Sequence, residues 1–166
     1  GKDTFANLLV VKIKERFRYK ENSPVSIIGQ PYSKFKYGIE SKSFVENLDT
    51  KYGKERIIEY LTKNRIESEK YINSLGGLVI CIRGALTDIA TFNYAFNENT
   101  NNTFGLCSNI KYIDKLIIID IDENEANDRI KNRNIKRTWR EHLPQLKYFR
   151  DFYLKYNSNH VKEKII

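Results

Sequence analysis

The spacing of apolar residues along the chain predicts alternating helices and strands. An apolar side chain recurs at every fourth position from Phe5 to Phe17, which places one apolar stripe on a helix. A second amphipathic pattern runs from about 54 to 75 and stops at two consecutive glycines, so we expect a long helix there. Further helices are predicted over 86–96, 123–133 and 144–156.

Apolar runs between these helices predict strands. The run "LVICI" is unbroken, so we expect a fully buried strand in which Cys81 is a small buried hydrophobe. "KLIIIDID" is the clearest strand, a β-branched run at 25–29 is another, and the tail "VKEKII" a fourth. Because strands alternate with helices, the pattern predicts an α/β fold with a parallel sheet, in a single domain over residues 1–166.

Composition narrows the classes of protein. No apolar run approaches the ~18 residues that cross a bilayer, so we expect no membrane span. Two cysteines, Cys81 and Cys107, make neither a disulfide framework nor a zinc site, which favours the reducing cytoplasm. The net charge of +8 suits nucleic acid or free nucleotide phosphates and does not choose between them.

The first four residues, "GKDT", match the end of the phosphate-binding pattern G-x-x-x-x-G-K-[ST]. In that role Gly1 lets the backbone approach a phosphate, Lys2 reaches the phosphate oxygens, and Asp3 or Thr4 holds Mg²⁺. The alternative is an ordinary helix start in which Asp3 or Thr4 is the cap. If the pattern is a phosphate loop, we expect its front half and the first strand of the sheet to lie upstream of Gly1.

Several segments in order resemble the thymidylate kinase family of P-loop nucleoside-monophosphate kinases. After "GKDT" they are "IIGQPYSKFKYGIE", "YLTKNRIESEKYI", "GLVICIRGALTDIATF", "YIDKLIIIDIDENEANDRIKNR" and "NIKRTWREHLPQLKYFRDFYLKY". The resemblance implies a three-layer P-loop kinase fold with a parallel sheet flanked by helices. It also implies a cytoplasmic enzyme, commonly a homodimer, that uses ATP and Mg²⁺ to convert dTMP to dTDP. Small nucleotides are then the expected partners, and neither nucleic acid nor membrane is.

The resemblance also implies roles for individual residues. Lys2 would bind the phosphates of ATP, and Arg83 would clamp the acceptor phosphate and the transferring phosphoryl group. Arg65 would face the acceptor base, with Leu61 and Pro31 completing the acceptor site. Arg83 also stands at the carboxyl end of a predicted buried strand, the edge at which ligands bind in open α/β sheets. We therefore favour a binding role for Arg83 over the alternative, an ordinary surface arginine at the end of a strand.

For Arg65 the residues alone favour a salt bridge on its own helix, to Glu67 or Glu69. The sequence also departs from the family pattern near the same pocket. Ile82 replaces the aspartate that precedes the clamping arginine, which puts catalysis in doubt. Ser33 replaces a basic residue.

A basic stretch at about 133–143 corresponds to the lid of the family. If it is helical, Arg133, Arg137 and Arg140 share one face that suits ATP, and Arg137 would assist catalysis. A solvated basic face or a nucleic-acid surface are the alternatives. Trp139 within this stretch would either stack on a base or attach the lid to the core.

Two aspartates and two histidines remain. Asp120 and Asp122 follow the clearest strand, and we expect them to cap the next helix rather than to hold Mg²⁺. His142 and His160 have no partner at metal-ligand spacing.

Three other functions stay open from the sequence. In the first, the acceptor is a nucleoside or another deoxynucleotide; it is favoured by Ser33 and by Leu61, which stands where the family has an aromatic residue that stacks on thymine. A relative that binds nucleotides without catalysis is favoured by Ile82. A nucleic-acid-binding module is favoured only by the net charge.

Overall fold

A computed structural model describes residues 2–17, 24–29, 35–37, 54–97, 113–133, 137–157 and 161–166. The described helices are α1 (Lys2–Phe17), α2 (Lys54–Ser74), α3 (Ala85–Phe96), α4 (Glu123–Lys131) and α5 (Leu143–Lys155), with a 3₁₀ turn at Trp139–Glu141. The described strands are β1 (Val25–Gly29), β2 (Leu78–Ile82), β3 (Ile113–Ile117) and β4 (Val161–Ile165).

The described strands form two parallel pairs. β1 lies beside β2, with Val25 opposite Leu78, and β3 lies beside β4, with Ile113 opposite Val161. Gly77, which enters β2 at φ 80°, must be glycine because a Cβ there would lie 2.3 Å from the Pro24 carbonyl oxygen. The α/β class and the parallel pairing predicted from the sequence are confirmed.

Helix α3 is the centre of the packing. It contacts α2 on one side and α5 on the other, while α1 packs on β1 and β2, and α4 on α5. Along α3, Ile89 and Ala90 have no exposed surface, and Phe92 joins Ile57 and Leu61 of α2 in the main hydrophobic cluster. Side chains that α3 contributes are therefore the ones most firmly positioned by the fold.

One burial prediction is wrong and another is confirmed only in part. Cys81 is exposed and the rest of β2 is only partly buried, because within the described residues β2 has a hydrogen-bonded neighbour on one side only. On α1 the most buried residue is Ala6, and Phe5 of the predicted stripe is 40% exposed. Leu9 and Ile13 of that stripe are partly buried.

Some predictions concern residues outside the described ranges. Gly1, Pro31, Ser33 and His160 are among them, as are Cys107 and the middle of the basic stretch, 134–136. Between β1 and α2 the structure describes residues 35–37, where the chain turns and the rings of Phe35 and Tyr71 of α2 lie with centroids 5.9 Å apart. No helix in the described ranges has the length and apolar character that a membrane span requires.

Candidate functional site

The candidate site begins at the carboxyl end of β2, where ligands bind in open α/β sheets. Arg83 follows the strand with φ 64°, a left-handed conformation that costs energy for any residue other than glycine. Its side chain is exposed and, within the described ranges, makes no hydrogen bond or ion pair. Gly84 then caps α3 without a side-chain hydrogen bond, so one residue separates Arg83 from the first turn of α3.

Arg140 is a second cation near this point, since the charge of Arg83 acts on it. Its Nη2 donates to Thr91 Oγ1 on α3 at 2.7 Å, while its Nε is buried without a hydrogen-bond partner among the described residues. The guanidinium stands 5.4 Å from the Trp139 ring and 6.0 Å from that of Phe149. Burial, together with the like charge of Arg83, lowers the pKa of Arg140 to about 10. An anion between the two guanidinium groups would relieve both effects.

The first turn of α1 completes the arrangement. Lys2 Nζ lies 2.9 Å from Asp3 Oδ2, and both side chains are exposed. The hydrogen bond from Lys2 lowers the pKa of Asp3, and the charge of Arg83 acts in the same direction. The start of α1, the end of β2 and the 3₁₀ turn therefore share one electrostatic environment. Three segments that are far apart in sequence meet here.

The basic stretch does not form the helical face that the sequence suggested. Residues 137–138 are extended and a 3₁₀ turn follows, so the three arginines have different neighbours. Arg137 donates to Asn127 on α4 at 3.3 Å, and Arg133 donates to Glu141 at 3.3 Å. Of the three, Arg140 is the one that the structure brings to Arg83.

Trp139 attaches this turn to the core. Its ring stacks on Tyr94 of α3 with centroids 5.9 Å apart and an interplanar angle of 22°, and Phe149 of α5 lies 6.2 Å away. The backbone N–H of Thr138 donates to Glu141 Oε2 at 2.9 Å, which closes the turn. Of the two roles suggested for Trp139, attachment to the core is the one observed. Arg140 therefore extends from a firmly packed support.

Arg65 has a partner that the sequence did not reveal. It is 4% exposed, and its Nε and Nη2 both donate to Asp88 Oδ2 on α3, with the Nε contact at 3.1 Å. The salt bridges suggested to Glu67 or Glu69 are wrong, since the carboxylate comes from the neighbouring helix. Leu61, also assigned to the acceptor site, is 3% exposed and belongs to the hydrophobic cluster. The face of α2 expected to hold an acceptor base is therefore packed on α3.

Glu69 lies one helical turn beyond Arg65 and is 8% exposed. Both of its carboxylate oxygens are buried without a hydrogen-bond partner in the described part of the chain. Burial raises the pKa of Glu69 to about 7, against the attraction of Arg65, and the negative charge of Asp88 adds to the rise. A sequence signal did exist: buried Asn64, Arg65, Ser68 and Glu69 make a polar stripe next to the apolar face of α2.

Helix α5 adds a hydroxyl that sequence reasoning missed. Tyr153 Oη and Thr87 Oγ1 of α3 lie 2.7 Å apart and share a hydrogen bond. Burial raises the pKa of the Tyr153 phenol, and the charges of Arg140, Asp88 and Arg83 all reach it. Tyr153 thus links α5 to the first turn of α3, within the electrostatic reach of the two arginines.

The aspartates after β3 serve the local fold. Asp122 accepts hydrogen bonds from the backbone N–H groups of Asn124 and Glu125, so its predicted role as the cap of α4 is confirmed. Asp120 is not a cap, because its carboxylate receives two hydrogen bonds from Arg150, at 2.7 and 3.0 Å. Among the described side chains, no group of three or more His, Cys, Asp or Glu could hold a metal ion.

Comparison with solved structures finds thymidylate kinase from Candida albicans, a structure reported to reveal the origin of broad substrate specificity and a novel structural element. The two superpose with a TM-score of 0.68, over 98% of this chain and 77% of the other. The chain has a thymidylate kinase-like fold. The sequence identity is 20%, so the likeness concerns the fold. Comparison with protein-family models and with curated proteins finds no match.

Proposed function

We propose that the chain is a nucleotide kinase that transfers the γ-phosphoryl group of ATP to a nucleoside monophosphate. The observation that carries this proposal is the pair Arg83 and Arg140. Within the described ranges, Arg83 has no hydrogen-bond or ion-pair partner and Arg140 donates only to a hydroxyl, and the charge of Arg83 lowers the pKa of Arg140. Guanidinium groups bind phosphate oxygens in pairs, so a phosphate is the anion that fits best.

The first turn of α1 suits the donor side of the reaction. Lys2 and the amide of Gly1 would bind ATP phosphates, as the loop pattern suggests. Asp3 is exposed and its pKa is lowered, so its ionised carboxylate could bind Mg²⁺. Thr4, the next residue, could contribute its hydroxyl. Mg²⁺ usually takes one or two protein oxygens and keeps water and phosphate oxygens for the rest. When bound, it would neutralise charge on the phosphates.

The protein groups act mainly by position and charge. An oxygen of the acceptor phosphate forms a new bond to the γ-phosphorus, while the bond from that phosphorus to the ADP oxygen breaks. Arg83 and Arg140 would hold the acceptor and the transferring group in line and stabilise the negative charge on the oxygens. Thr91 orients Arg140, and the rings of Trp139 and Phe149 keep water from one face of it. Arg137 and Arg133 would join only after leaving Asn127 and Glu141.

Two acceptors are candidates. dTMP is suggested by the fold, and its product dTDP would serve cytoplasmic dTTP synthesis. A different deoxynucleotide is favoured by one observation, that Arg65 is already bound to Asp88 and has no free Nε–H for thymine. The breadth of specificity reported for the Candida albicans enzyme gives a reason to test several acceptors together.

The test is ADP production by the full chain with Mg-ATP and each of the common deoxynucleoside monophosphates. We expect turnover with at least one of them, and a loss of at least ~10²-fold in Arg83→Ala, the usual effect of removing one charge-stabilising donor. Arg129→Ala is the matched control, because Arg129 is an exposed arginine paired with Glu125 on its own helix. Absence of turnover with every acceptor, or an unchanged rate in Arg83→Ala, would reject the proposal.

A further inference from the structure

Thr87, in the first turn of α3, makes hydrogen bonds in three directions. Its backbone N–H donates to the carbonyl oxygen of Gly84 at 2.9 Å, and Gly84 directly follows Arg83 in the chain. Its own carbonyl oxygen accepts from the Thr91 hydroxyl at 2.5 Å. Its side-chain hydroxyl shares a hydrogen bond with the Tyr153 phenol at 2.7 Å. One residue therefore connects the end of β2, the middle of α3 and the face of α5.

The bond to Gly84 lies next to the strained residue of the site. Arg83 has φ 64°, and such a conformation persists only where the surrounding structure holds it. The N-cap of α3 is a glycine, which has no side chain that could bond the first turn of the helix. The Thr87 hydroxyl provides a bond of that kind instead, because it attaches the first turn to α5 through Tyr153. Thr87 therefore helps to keep Arg83 in the observed conformation.

The bond from Thr91 determines how Arg140 is held. Thr91 has a single hydroxyl proton, which it donates to the carbonyl oxygen of Thr87 one turn earlier. The lone pairs of that hydroxyl are then left to accept a hydrogen bond, and Arg140 Nη2 donates to it at 2.7 Å. Thr91 is 1% exposed, so the contact is shielded from solvent. The bonds that hold the two arginines of the phosphate site thus meet at Thr87.

We propose that Thr87 is a positioning residue that fixes Arg83 and Arg140 relative to one another, and that Tyr153 holds Thr87 in place. The inference rests on the proposed function, because a phosphate between the two guanidinium groups is what requires a fixed spacing. Thr87 and Tyr153 act through the arginines rather than on the phosphate. Their effect is expected to be large, because binding and transfer of a phosphoryl group depend on small displacements of the groups that hold it.

The test is the binding of inorganic pyrophosphate to the full chain, measured by calorimetry without nucleotide. Thr87→Val keeps the shape of the side chain and removes its hydroxyl, so Arg83 should spend less time in the binding conformation. We expect a loss of about tenfold in affinity, since the apparent affinity falls with the population of that conformation. Tyr153→Phe removes the other half of the same hydrogen bond and should weaken binding equally. The double variant should bind no more weakly than either single variant, because one shared interaction is lost in all three.

Control variants separate positioning from folding. Thr87→Ser keeps the hydroxyl and should retain the wild-type affinity. Tyr148→Phe is the matched control for Tyr153→Phe, because it removes another phenol of α5, whose hydrogen bond is with Asn93 of α3. It should leave the affinity for pyrophosphate unchanged. A thermal melt accompanies each measurement, since a purely structural role of Thr87 would lower the melting temperature of Thr87→Val without changing the affinity of the folded protein.

The outcomes distinguish the inference from the proposed function. Wild-type affinity in a folded Thr87→Val variant, additive losses in the double variant, or no binding of pyrophosphate by the wild type would overturn the inference. The assay of ADP production tests the proposed function separately. A chain whose variants follow the expected pattern but which produces no ADP with any acceptor supports the inference for a phosphate-binding site and rejects the catalytic proposal.

Discussion

Arg65 and Arg140 are two arginines held against the same helix, and they differ in what α3 offers them. α3 gives Arg65 a carboxylate, Asp88, and the two side chains form a buried ion pair. One turn further along, it gives Arg140 only the hydroxyl of Thr91. Burial of a cation therefore does not by itself indicate a ligand site. The charge of the partner decides whether the fold is already neutralised or still requires an anion.

Breaking the ion pair between Arg65 and Asp88 should have the largest effect on stability. Asp88→Ala leaves Arg65 buried without a counter-charge, so we expect the free energy of unfolding to fall by about 3–5 kcal/mol. Urea denaturation monitored by circular dichroism measures it. The double variant Arg65→Met with Asp88→Leu removes both charges and should recover much of the loss. A change of under about 1 kcal/mol in Asp88→Ala would mean that the ion pair does not secure the α2–α3 interface.

Removing the charge of Arg140 should instead lower the turnover. Arg140→Met keeps the packing against Trp139 and removes the charge, so kcat/KM with Mg-ATP should fall by about 10²–10³-fold. Stability should change little, because no carboxylate is left without its cation. The measurement is steady-state ADP production together with a thermal melt. If Arg140→Met lowers the melting temperature as strongly as Asp88→Ala does but leaves kcat/KM of the folded protein unchanged, Arg140 stabilises the fold rather than the reaction.

The sequence predicted the order of helices and strands because long periodic segments depend on local pattern alone. The predictions from the sequence were wrong where packing between distant segments determines the contacts of a side chain. The partner of Arg65 lies 23 residues away and that of Arg140 lies 49 residues away, so no local spacing could reveal them. The prediction that the basic stretch forms a helical face was wrong, because Glu141 closes a 3₁₀ turn there. Cys81 is exposed because β2 is paired on one side in the described sheet.

The candidate site was partly predicted. Arg83 could be proposed from the sequence because a parallel strand delivers its last residues to the ligand edge of the sheet. Glu69 and Asp88 were not assigned to the site, since an acidic residue in a helix most often faces water. Only their burial against α3, which depends on tertiary packing, separates them from the exposed acids nearby.

Glu69 gives a pH dependence whose sign can be worked out. Its pKa is about 7 in the folded chain and near 4.5 when the chain is unfolded. Between these values the folded state binds more protons than the unfolded state, so stability falls as pH rises from about 4.5 to 7. The loss is up to about 3 kcal/mol.

Glu69→Gln has no carboxyl group to titrate at this position and serves as the reference. The difference in unfolding free energy between the wild type and Glu69→Gln should therefore shift in favour of the variant as pH rises through this range. Urea denaturation at pH 4.5, 6 and 8 measures it. A difference that is constant with pH would show that Glu69 is not buried away from donors.

A third arginine, Arg150, is paired like Arg65 but is more exposed to water. Arg150 is paired as fully as Arg65, to Asp120 and Glu123, but its side chain is 34% exposed. Water screens this network, so Arg150→Ala should lower the stability far less than Asp88→Ala does. The loss should also vanish as the salt concentration approaches about 1 M, because the screening length there is ~3 Å. Thermal melts of both variants across a salt series measure this. A loss of stability in Arg150→Ala that is as large as that in Asp88→Ala and independent of salt would mean that an ion pair stabilises the fold whether or not it is buried. Burial would then not be what distinguishes Arg65, and Arg140 would have to be compared with every paired arginine.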